Sequence, residues 1–563
     1  MNKSLQFLLM VFFASNAFSA TFTVTSTTDV VDAVPGNGVC ATAGGACTLR
    51  AAIQEANALA GADSIVVPSG IFPMVIAGVG EELAATGDYD ISDELTITGA
   101  GAGLSIIDCR SIDRGFDVRT NVKTTFSKIW IKNCSVNGAD GGAIRSVSTS
   151  NLTLSEAKLS NNRAENAGGL VHAGELVVTD SIIDRNYAAN AIGGIYKHGN
   201  GNVAISSSDI TSNTAKVLYG GLVVVSGNGS VSLSDSDILD NSAGTYGAGI
   251  VIAMGASGAS VSSLNVKRNI GSAIGGLLLQ TSAGPTTLTN SDVSDNVAFD
   301  SAGVGIGGLY VVSQGDLTAS GLTISDNVSA GPLGGGQLSS TAGAININNS
   351  TFSSNSAWKD FGGVNLSAVT GLNITDTVVS DNIANNTASV DPSAGGMYVT
   401  IPATVALNLT RVTCSNNISL NSSGGCLRMA TGGGALNITS STFDGNYADS
   451  NGGAVIASLT SGTATSSITG STFSNNSVSG GSLGGGLFLV SVHRVDVLNS
   501  TFSSNVAVSA AGVLFAGNPG IFFKNSTFFE NKASGTGSSI GLLAGTANLE
   551  NNILYDGNTE IAN

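Results

Sequence analysis

One short pattern recurs along most of this chain and constrains its fold more than any other feature. An apolar residue is followed three positions later by an asparagine, and within about twenty residues a Gly-Gly pair opens an apolar run. Successive asparagines lie about 28 residues apart on average, and an internal period in this range is typical of a solenoid. The asparagines are Asn162, Asn186, Asn213, Asn241, Asn269, Asn296, Asn327, Asn355, Asn382, Asn417, Asn446, Asn476, Asn505 and Asn531.

The position three residues before each asparagine is apolar in every repeat, as a side chain in a continuous core requires. β-Branched residues dominate the early repeats and Phe the later ones, and both types favour strands. The spacing of a leucine-rich repeat is absent, and no repeat has helical periodicity. The residues are Leu159, Ile183, Ile210, Ile238, Val266, Val293, Ile324, Phe352, Val379, Cys414, Phe443, Phe473, Phe502 and Phe528.

These observations predict an all-β chain, a right-handed parallel β-helix (solenoid) of about 16 coils. Coils stack at the strand spacing of about 4.8 Å, so identical positions lie directly above one another. We therefore expect the asparagines to form a ladder in which each side-chain amide binds the next. Gly-Gly pairs such as Gly193-Gly194 supply turn conformations that side chains penalise.

The sequence is poor in charge, and the charge it has is mainly acidic. Charged residues make up 11% of the 563 residues, and the net charge is −17. This balance argues against nucleic acid and anionic membranes as partners. Outside a cell, the same charge keeps a long rod soluble.

Residues 1–19 have the features of a secretory signal peptide. Lys3 supplies the positive end, residues 5–14 are almost entirely apolar, and small residues precede a cut near Ala20. The apolar stretch is too short to span a bilayer, and no second candidate occurs downstream. The sequence therefore predicts a protein that is secreted or held at a bacterial cell surface, with no membrane-spanning segment in the mature chain.

Six cysteines suit an oxidising compartment. Cys109 and Cys134 each follow an isoleucine by three positions, and Cys134 precedes Asn162 by 28 residues, so both take the asparagine position of adjacent coils. At the coil spacing, their Cα atoms are close enough for a disulfide. Six cysteines allow 15 different pairings. The pairing we favour is completed by Cys40 with Cys47 and Cys414 with Cys426. Metal binding by these cysteines is the weaker alternative, since the chain has no C-x₂-C pair and only three histidines.

The N-terminal end of a solenoid exposes unpaired strand edges and needs a cap. Residues 48–58 form the one convincing helix of the mature chain, with Leu49, Ala52, Ile53 and Ala56 on a single face. Laid across the first coil, that face would close the core.

The capping helix also carries a family resemblance. Residues 47–57, Cys-Thr-Leu-Arg-Ala-Ala-Ile-Gln-Glu-Ala-Asn, resemble the CSLREA segment that opens many secreted bacterial β-helix proteins, with Thr48 and Ala51 in place of the usual Ser and Glu. The similarity continues through residues 87–91, 95–99 and 106–108, and implies a bacterial envelope or extracellular protein. We accordingly divide the chain into a signal peptide at 1–19, an N-terminal cap at 20–105 and β-helix repeats at 106–563.

The repeats also resemble those of chlamydial polymorphic membrane proteins, which are surface adhesins with G-G-A-[ILV] and F-x-x-N motifs. The resemblance implies an adhesive role. The matching segments here are residues 141–144 and 452–455 for the first motif, and 352–355, 443–446, 473–476, 502–505 and 528–531 for the second.

Three basic residues interrupt a strand position that is otherwise mostly aliphatic. The third position after the Gly-Gly pair holds Arg145, His172 and Lys197 in three consecutive coils. Stacked on one another, they would form a cationic stripe able to bind an anionic sugar such as a polyuronate. The alternative is that the strand is offset in these coils and the three side chains simply reach solvent.

Acidic residues give two further candidates. Asp295 and Asp326 each come directly before one of the repeated asparagines, on adjacent coils. Together they could ligate Ca²⁺, the one cofactor that the sequence suggests. Asp is also a favoured turn residue, which is the alternative reading of both positions.

Residues 81–119 form a charged stretch, in which a carboxylate pair could act as acid and base on a glycosidic bond. Three of its aspartates, Asp88, Asp90 and Asp108, lie in the segment that resembles the secreted bacterial family, and capping of turns is the reading we favour for them. Ser–His or Cys–His catalysis has no support, because the histidines show no nucleophile partner in the sequence and the cysteines are expected to be oxidised.

Two functions fit this reading. The first is a non-catalytic adhesin or glycan- or matrix-binding rod, which contacts a host or matrix surface or a polysaccharide along its long polar faces. The alternative is a pectate-lyase-like polysaccharide lyase or a glycoside hydrolase, since one fold hosts many functions. Successive asparagines of the repeat are 24 to 35 residues apart, which leaves little chain for the long loops that surround a catalytic cleft. We therefore favour binding over catalysis.

Overall fold

The structure is a computed structural model that describes residues 19–119, 121–254, 258–300, 305–386, 393–430, 432, 434–460, 465–555 and 561–562. Apart from Ser19, the predicted signal peptide lies outside the described residues. No helix within these ranges is long and apolar enough to cross a membrane.

The described chain winds into a parallel solenoid of about 17 turns, which confirms the predicted right-handed parallel β-helix. A full turn contributes four strands, as in Asp209–Thr211, Thr214–Ala215, Leu222–Ser226 and Val231–Ser234. Each strand pairs in parallel with its counterparts in the turns before and after, so the hydrogen bonds run along the solenoid axis. The short strands alternate buried and outward residues, as a solenoid wall requires.

Four long sheets result, one for each strand of the turn. The sheet that contains Val231–Ser234 has nineteen strands and begins at Thr21–Thr23, so the stretch 20–105 shares its sheets with the repeats. The sheet that contains Leu222–Ser226 carries the sites discussed below and is called the site sheet. Its strands are Tyr89–Ile91, Phe116–Val118, Ile144–Ser146, Leu170–His172, Ile195–Gly199, Leu222–Ser226, Ile250–Met254, Leu277–Thr281, Leu309–Ser313, Gly336–Ser340, Val364–Ser367, Met397–Thr400, Leu427–Met429, Val455–Leu459, Leu487–Ser491, Val513–Gly517, Ile540–Ala544 and Ile561–Ala562.

The predicted asparagine ladder runs through the interior of the solenoid. Asn162 Nδ2 donates to Asn186 Oδ1 at 2.9 Å, and the same contact repeats from coil to coil until Asn505 Nδ2 donates to Asn531 Oδ1 at 2.9 Å. Each amide also satisfies backbone groups: Asn327 Oδ1 accepts from the Asn296 backbone N–H, and Asn327 Nδ2 donates to the Val293 carbonyl. Buried polar groups must be paired, and here the repeat itself supplies the partner.

The apolar position three residues before each asparagine lies in the core, as predicted. All fourteen side chains are buried, and none is more than 2% exposed. In the last coils four phenylalanines stack face to face, with centroid distances of 4.7, 4.9 and 5.0 Å along Phe443, Phe473, Phe502 and Phe528.

All six cysteines are paired in the predicted connectivity. Cys109 and Cys134 bridge adjacent coils with their Cα atoms 4.6 Å apart, and the Cys134 backbone N–H donates to Asn162 Oδ1. The disulfide therefore continues the asparagine ladder toward the N-terminus. The other pairs are Cys40–Cys47 and Cys414–Cys426, with Cα separations of 5.1 and 6.1 Å.

The capping helix spans Leu49–Ala58 and packs on the first coils. Thr48 caps it, since its hydroxyl accepts from the Ala51 backbone N–H at 3.1 Å. Arg50 points inward and is fully buried. Its guanidinium binds Asp29 at 2.6 Å and lies 4.6 Å from the centre of the Tyr89 ring, so the helix is tied both to the N-terminal segment and to the site sheet.

Candidate functional site

Part of the charge of residues 81–119 lies at the first three strands of the site sheet. Asp90, Asp117 and Arg145 occupy one outward position in successive strands. Around them lie Glu82, Asp88, Asp113, Arg114 and Arg119, and we call these eight residues the charged cluster.

Arg119 is the centre of the charged cluster. Its Nη1 lies 3.0 Å from Asp117 Oδ2 and 3.8 Å from Asp90 Oδ1, and its Nη2 binds Glu82. Oxygens of Glu82, Asp90 and Asp117 lie within 4.8 Å of one another, which is the one group of three acidic side chains in the described ranges with a spacing that suits a metal ion. Because a guanidinium already binds these carboxylates, the geometry is that of an ion network rather than of an open metal site.

Burial raises the pKa of the Asp90 carboxyl to about 7, and burial likewise raises the pKa of Asp88 to about 6 against the opposing effect of Arg114. Asp90 is 1% exposed, and its Oδ1 makes no hydrogen bond. Its other groups are structural: Oδ2 accepts from the Ala84 N–H, and its carbonyl accepts from Asn57 Nδ2 of the capping helix. Asp88 and Asp90 thus lie beneath the arginines of the charged cluster, and Asp90 joins the cap to the first coils.

The three residues of the predicted cationic stripe do not share one position. His172 pairs with Lys197 in register, but the partner of His172 in the preceding strand is Ser146, not Arg145. Arg145 lies one residue earlier and therefore points to the opposite face, where its Nη2 binds Asp117 at 2.5 Å. His172 and Lys197 point inward and are 0% exposed, so neither reaches a ligand or the solvent. The expectation of one exposed stripe is wrong.

The two inward residues are held by internal hydrogen bonds. Lys197 Nζ donates to the carbonyls of Gly199, Asn200 and Gly201 at 2.8, 3.1 and 2.9 Å. Burial lowers the pKa of Lys197 to about 8 and that of His172 to about 4. Lys197 therefore closes a turn from inside the solenoid, in the way that a bound cation would.

Serine–histidine pairs, which the sequence did not indicate, occur at two places in the interior. His172 Nδ1 lies 2.9 Å from Ser146 Oγ, and His493 Nε2 lies 3.2 Å from Ser466 Oγ. All four side chains are buried, and His493 Nδ1 has no hydrogen-bond partner among the described residues. Without an orienting acid or access for a substrate, these pairs do not form a catalytic triad.

The two candidate calcium ligands lie at the same turn of adjacent coils. Asp295 and Asp326 are exposed and have φ angles of 58° and 57°. Asp tolerates this left-handed conformation better than most residues, which accounts for both positions without a metal. Calcium binding stays a prediction, and a calcium titration followed by thermal unfolding tests it.

A groove on the outer face of the site sheet is the feature that sequence reasoning missed. The floor of the groove is formed by one outward-facing residue from each strand, in the row that contains Arg145 and continues in register through the following strands. The wall is formed by the turn residue just before each Gly-Gly pair. The floor residues, paired in register, are Val171, Tyr196, Val223, Val251, Leu278 and Tyr310. The wall residues are Ile192, Tyr219, Gly247, Ile274, Ile306, Leu333 and Phe361.

Gly247 opens this groove, because every other wall residue is large and apolar. A Cβ at this position would lie 2.8 Å from Val251 Cγ2 and 3.5 Å from Tyr219 Cδ1, so even alanine would crowd the floor. Beside Gly247 lies a cavity of about 690 Å³ that is lined by Tyr219, Tyr246 and Tyr310, among others. We call it the tyrosine groove.

The tyrosine groove combines aromatic surface with polar groups at its edges. The rings of Tyr219 and Tyr246 lie 5.7 Å apart at 31°, and Tyr246 is 48% exposed. Thr245, Ser272 and Gln280 line the same cavity and offer hydroxyl and amide groups. An apolar concave surface with a few polar groups is the usual form of a small-ligand site.

Comparison with known proteins assigns the chain to no family. No protein-family model matches the chain, and no curated protein matches it. Among solved structures, the chain is similar to the A-module of a mannuronan C-5 epimerase from Azotobacter vinelandii, with 12% identity and a TM-score of 0.28 over 80% of this chain and 98% of that one. A likeness at this level carries no argument about ligand or activity, and the two family resemblances of the sequence stay predictions.

Proposed function

We propose that this protein is a secreted or cell-surface rod that binds glycans through the tyrosine groove without cleaving them. The observation that carries the proposal is the cavity beside Gly247, a small residue in an otherwise bulky wall, because Tyr219, Tyr246 and Tyr310 line this cavity together. Aromatic rings present an electron-rich face to the C–H groups of a sugar ring, and neighbouring hydroxyl and amide groups bind its hydroxyls.

The three disulfides support a location outside the cytoplasm, since such bonds persist in oxidising compartments. The CSLREA-like segment and the F-x-x-N motifs support a bacterial surface protein with an adhesive role. The glycan would then belong to a host surface, an extracellular matrix or a polysaccharide layer.

A screen against immobilised polysaccharides, scored for both retention and cleavage, tests the proposal. We expect retention without cleavage, and we expect Tyr246→Ala to reduce retention at least tenfold. Tyr246 is half exposed, so its loss should leave the fold intact. Tyr555→Ala is the matched control, because Tyr555 is an exposed tyrosine (67%) outside the groove. Equal losses from both variants would contradict the assignment of the groove.

A lyase or hydrolase is the second candidate function. Its candidate general acids are Asp88 and Asp90, whose pKa values burial raises. Because both carboxyl groups are buried beneath arginines, binding stays the first candidate. Release of reducing sugars or unsaturated products in the same screen, abolished by Asp88→Asn, would support this function over the first.

A further inference from the structure

The tyrosine groove offers no positive charge to a ligand. Its lining, as the structure describes it, contains no lysine or arginine, and the one charged side chain there is Asp300. The whole chain adds a net charge of −17. A ligand with a carboxylate on every sugar would therefore meet repulsion that salt only partly screens.

The N-terminal end of the floor does not change this balance. Beyond Val171 the same outward row continues into Arg145, Asp117 and Asp90 of the charged cluster. The cluster holds five carboxyl groups against three guanidinium groups, and each guanidinium binds a carboxylate within it: Arg114 with Asp88, and Arg119 and Arg145 with Asp117. An anionic sugar that extends past the groove therefore finds its cationic partners already bound to protein carboxylates.

The outward row that forms the floor continues beyond the cavity on its N-terminal side. Tyr196 continues the floor toward the N-terminus, packs against the apolar cluster that includes Val223 and Tyr219, and lies 5.2 Å from the His198 ring. From Tyr196 to Tyr310 the floor crosses four coil steps of about 4.8 Å each, or roughly 19 Å. A ligand laid across one coil reaches one or two of these rings, whereas a chain parallel to the axis reaches several.

We propose that the tyrosine groove binds a neutral polysaccharide, with its chain parallel to the solenoid axis from Tyr196 to Tyr310. This inference rests on the proposed glycan-binding function and names its ligand class. It replaces the polyuronate that the basic residues of the sequence suggested, because Lys197 and His172 are buried and Arg145 is bound to Asp117.

Charge is tested with pairs of oligosaccharides that share linkage, stereochemistry and length and differ only in a carboxylate at C6, such as the hexasaccharides of β-1,4-linked mannan and of mannuronan. We expect calorimetric titration at low salt to give at least tenfold tighter binding of the neutral member. Added NaCl should leave that affinity unchanged and raise the affinity of the acidic member. Tighter binding of the acidic member, weakened by salt, overturns the neutral class but leaves glycan binding intact. Binding of neither member across the polysaccharide screen overturns both proposals.

Orientation is tested with neutral oligosaccharides from two to six units and the variant Tyr196→Ala. We expect wild-type affinity to rise with length, and Tyr196→Ala to lower the hexasaccharide affinity at least fivefold while the disaccharide affinity stays within twofold. Tyr196→Phe keeps the ring and should restore hexasaccharide binding, and Tyr555→Ala should bind like the wild type. An affinity that does not depend on length beyond two units, or on Tyr196, overturns the axial orientation.

Discussion

Phe473 lies face to face with Phe443, with ring centroids 4.7 Å apart and planes that differ by 4°. The two residues are thirty positions apart in sequence and occupy the same position of neighbouring coils. Parallel stacking at this distance follows directly from the strand spacing, since the backbone holds the rings one coil apart. The contact therefore reports the register of the whole solenoid and not only a local packing preference.

We expect Phe473→Ala to lower the free energy of unfolding by about 3–5 kcal/mol, because it empties a fully buried aromatic position between two other rings. Urea-induced unfolding measures the loss. Phe529→Ala is a suitable control, since Phe529 is 41% exposed and should cost much less. A loss below about 1 kcal/mol at Phe473 would place this position at the surface.

We expect Asn327→Ala to destabilise the protein by about 3 kcal/mol or more. It removes the acceptor of the Asn296 side-chain and backbone N–H groups and the donor to the Val293 carbonyl, all of them buried. Asn373→Ala is the matched control, because Asn373 belongs to a second amide ladder on the half-buried outer surface. Equal costs at the two positions would show that burial does not set the strength of the ladder.

We expect Lys197→Met to lower the free energy of unfolding by about 2 kcal/mol, because it keeps the aliphatic chain but leaves the three carbonyls of the turn at 199–201 without their charged donor. Arg145→Ala should cost only about 1 kcal/mol, since Arg145 is partly exposed and Asp117 keeps Arg119 as a partner. Thermal unfolding of the two variants compares them. A larger loss at Arg145 than at Lys197 would contradict their placement on opposite faces.

Asp90 should make stability depend on pH. Its pKa is raised from 3.8 to about 7, so between these values the folded protein keeps a proton that the unfolded chain has released. Rising pH therefore lowers the free energy of unfolding over this interval, by at most about 1.4 kcal/mol per pH unit from this group. Asp90→Asn should remove that contribution, so the variant gains stability relative to the wild type from pH 4 to pH 7. Parallel pH profiles for the two proteins would contradict the raised pKa.

We expect the purified protein to contain no free thiol, because all six cysteines are paired. Alkylation in denaturant without reductant, followed by mass spectrometry of peptides, should recover Cys109 linked to Cys134. Alkylated Cys109 or Cys134 would contradict the stacking of their coils.

The sequence was sufficient for the coil register wherever a buried position repeats. The asparagine and phenylalanine positions could be placed because each requires the same neighbour in every coil. For Arg145, counting strand positions from the Gly-Gly pair predicted the wrong face of the sheet. In that coil Ala143 takes the place of the second glycine, so the strand starts one residue later, at Ile144. A slip of one residue moves a side chain to the other face.

The tyrosine groove could not be predicted from the period alone, because it arises from one missing side chain at a surface position. The sequence contains only a weak indication of the groove. The residue before each Gly-Gly pair is bulky from Ile192 to Phe361 except at Gly247, where the following pair is Ala248-Gly249. The wall side chains pack into small buried clusters outside the main core, so the repeat that defines the core does not depend on them.

The amides of the asparagine ladder all point the same way: each Oδ1 faces the preceding coil and each Nδ2 the following one. Any coil can therefore join any other, provided that it brings one asparagine in this orientation. Spacings from 24 to 35 residues between ladder members already coexist in this chain. Gain or loss of whole repeats thus leaves every remaining amide paired, so the length of the rod is free to change over evolution while its cross-section stays constant.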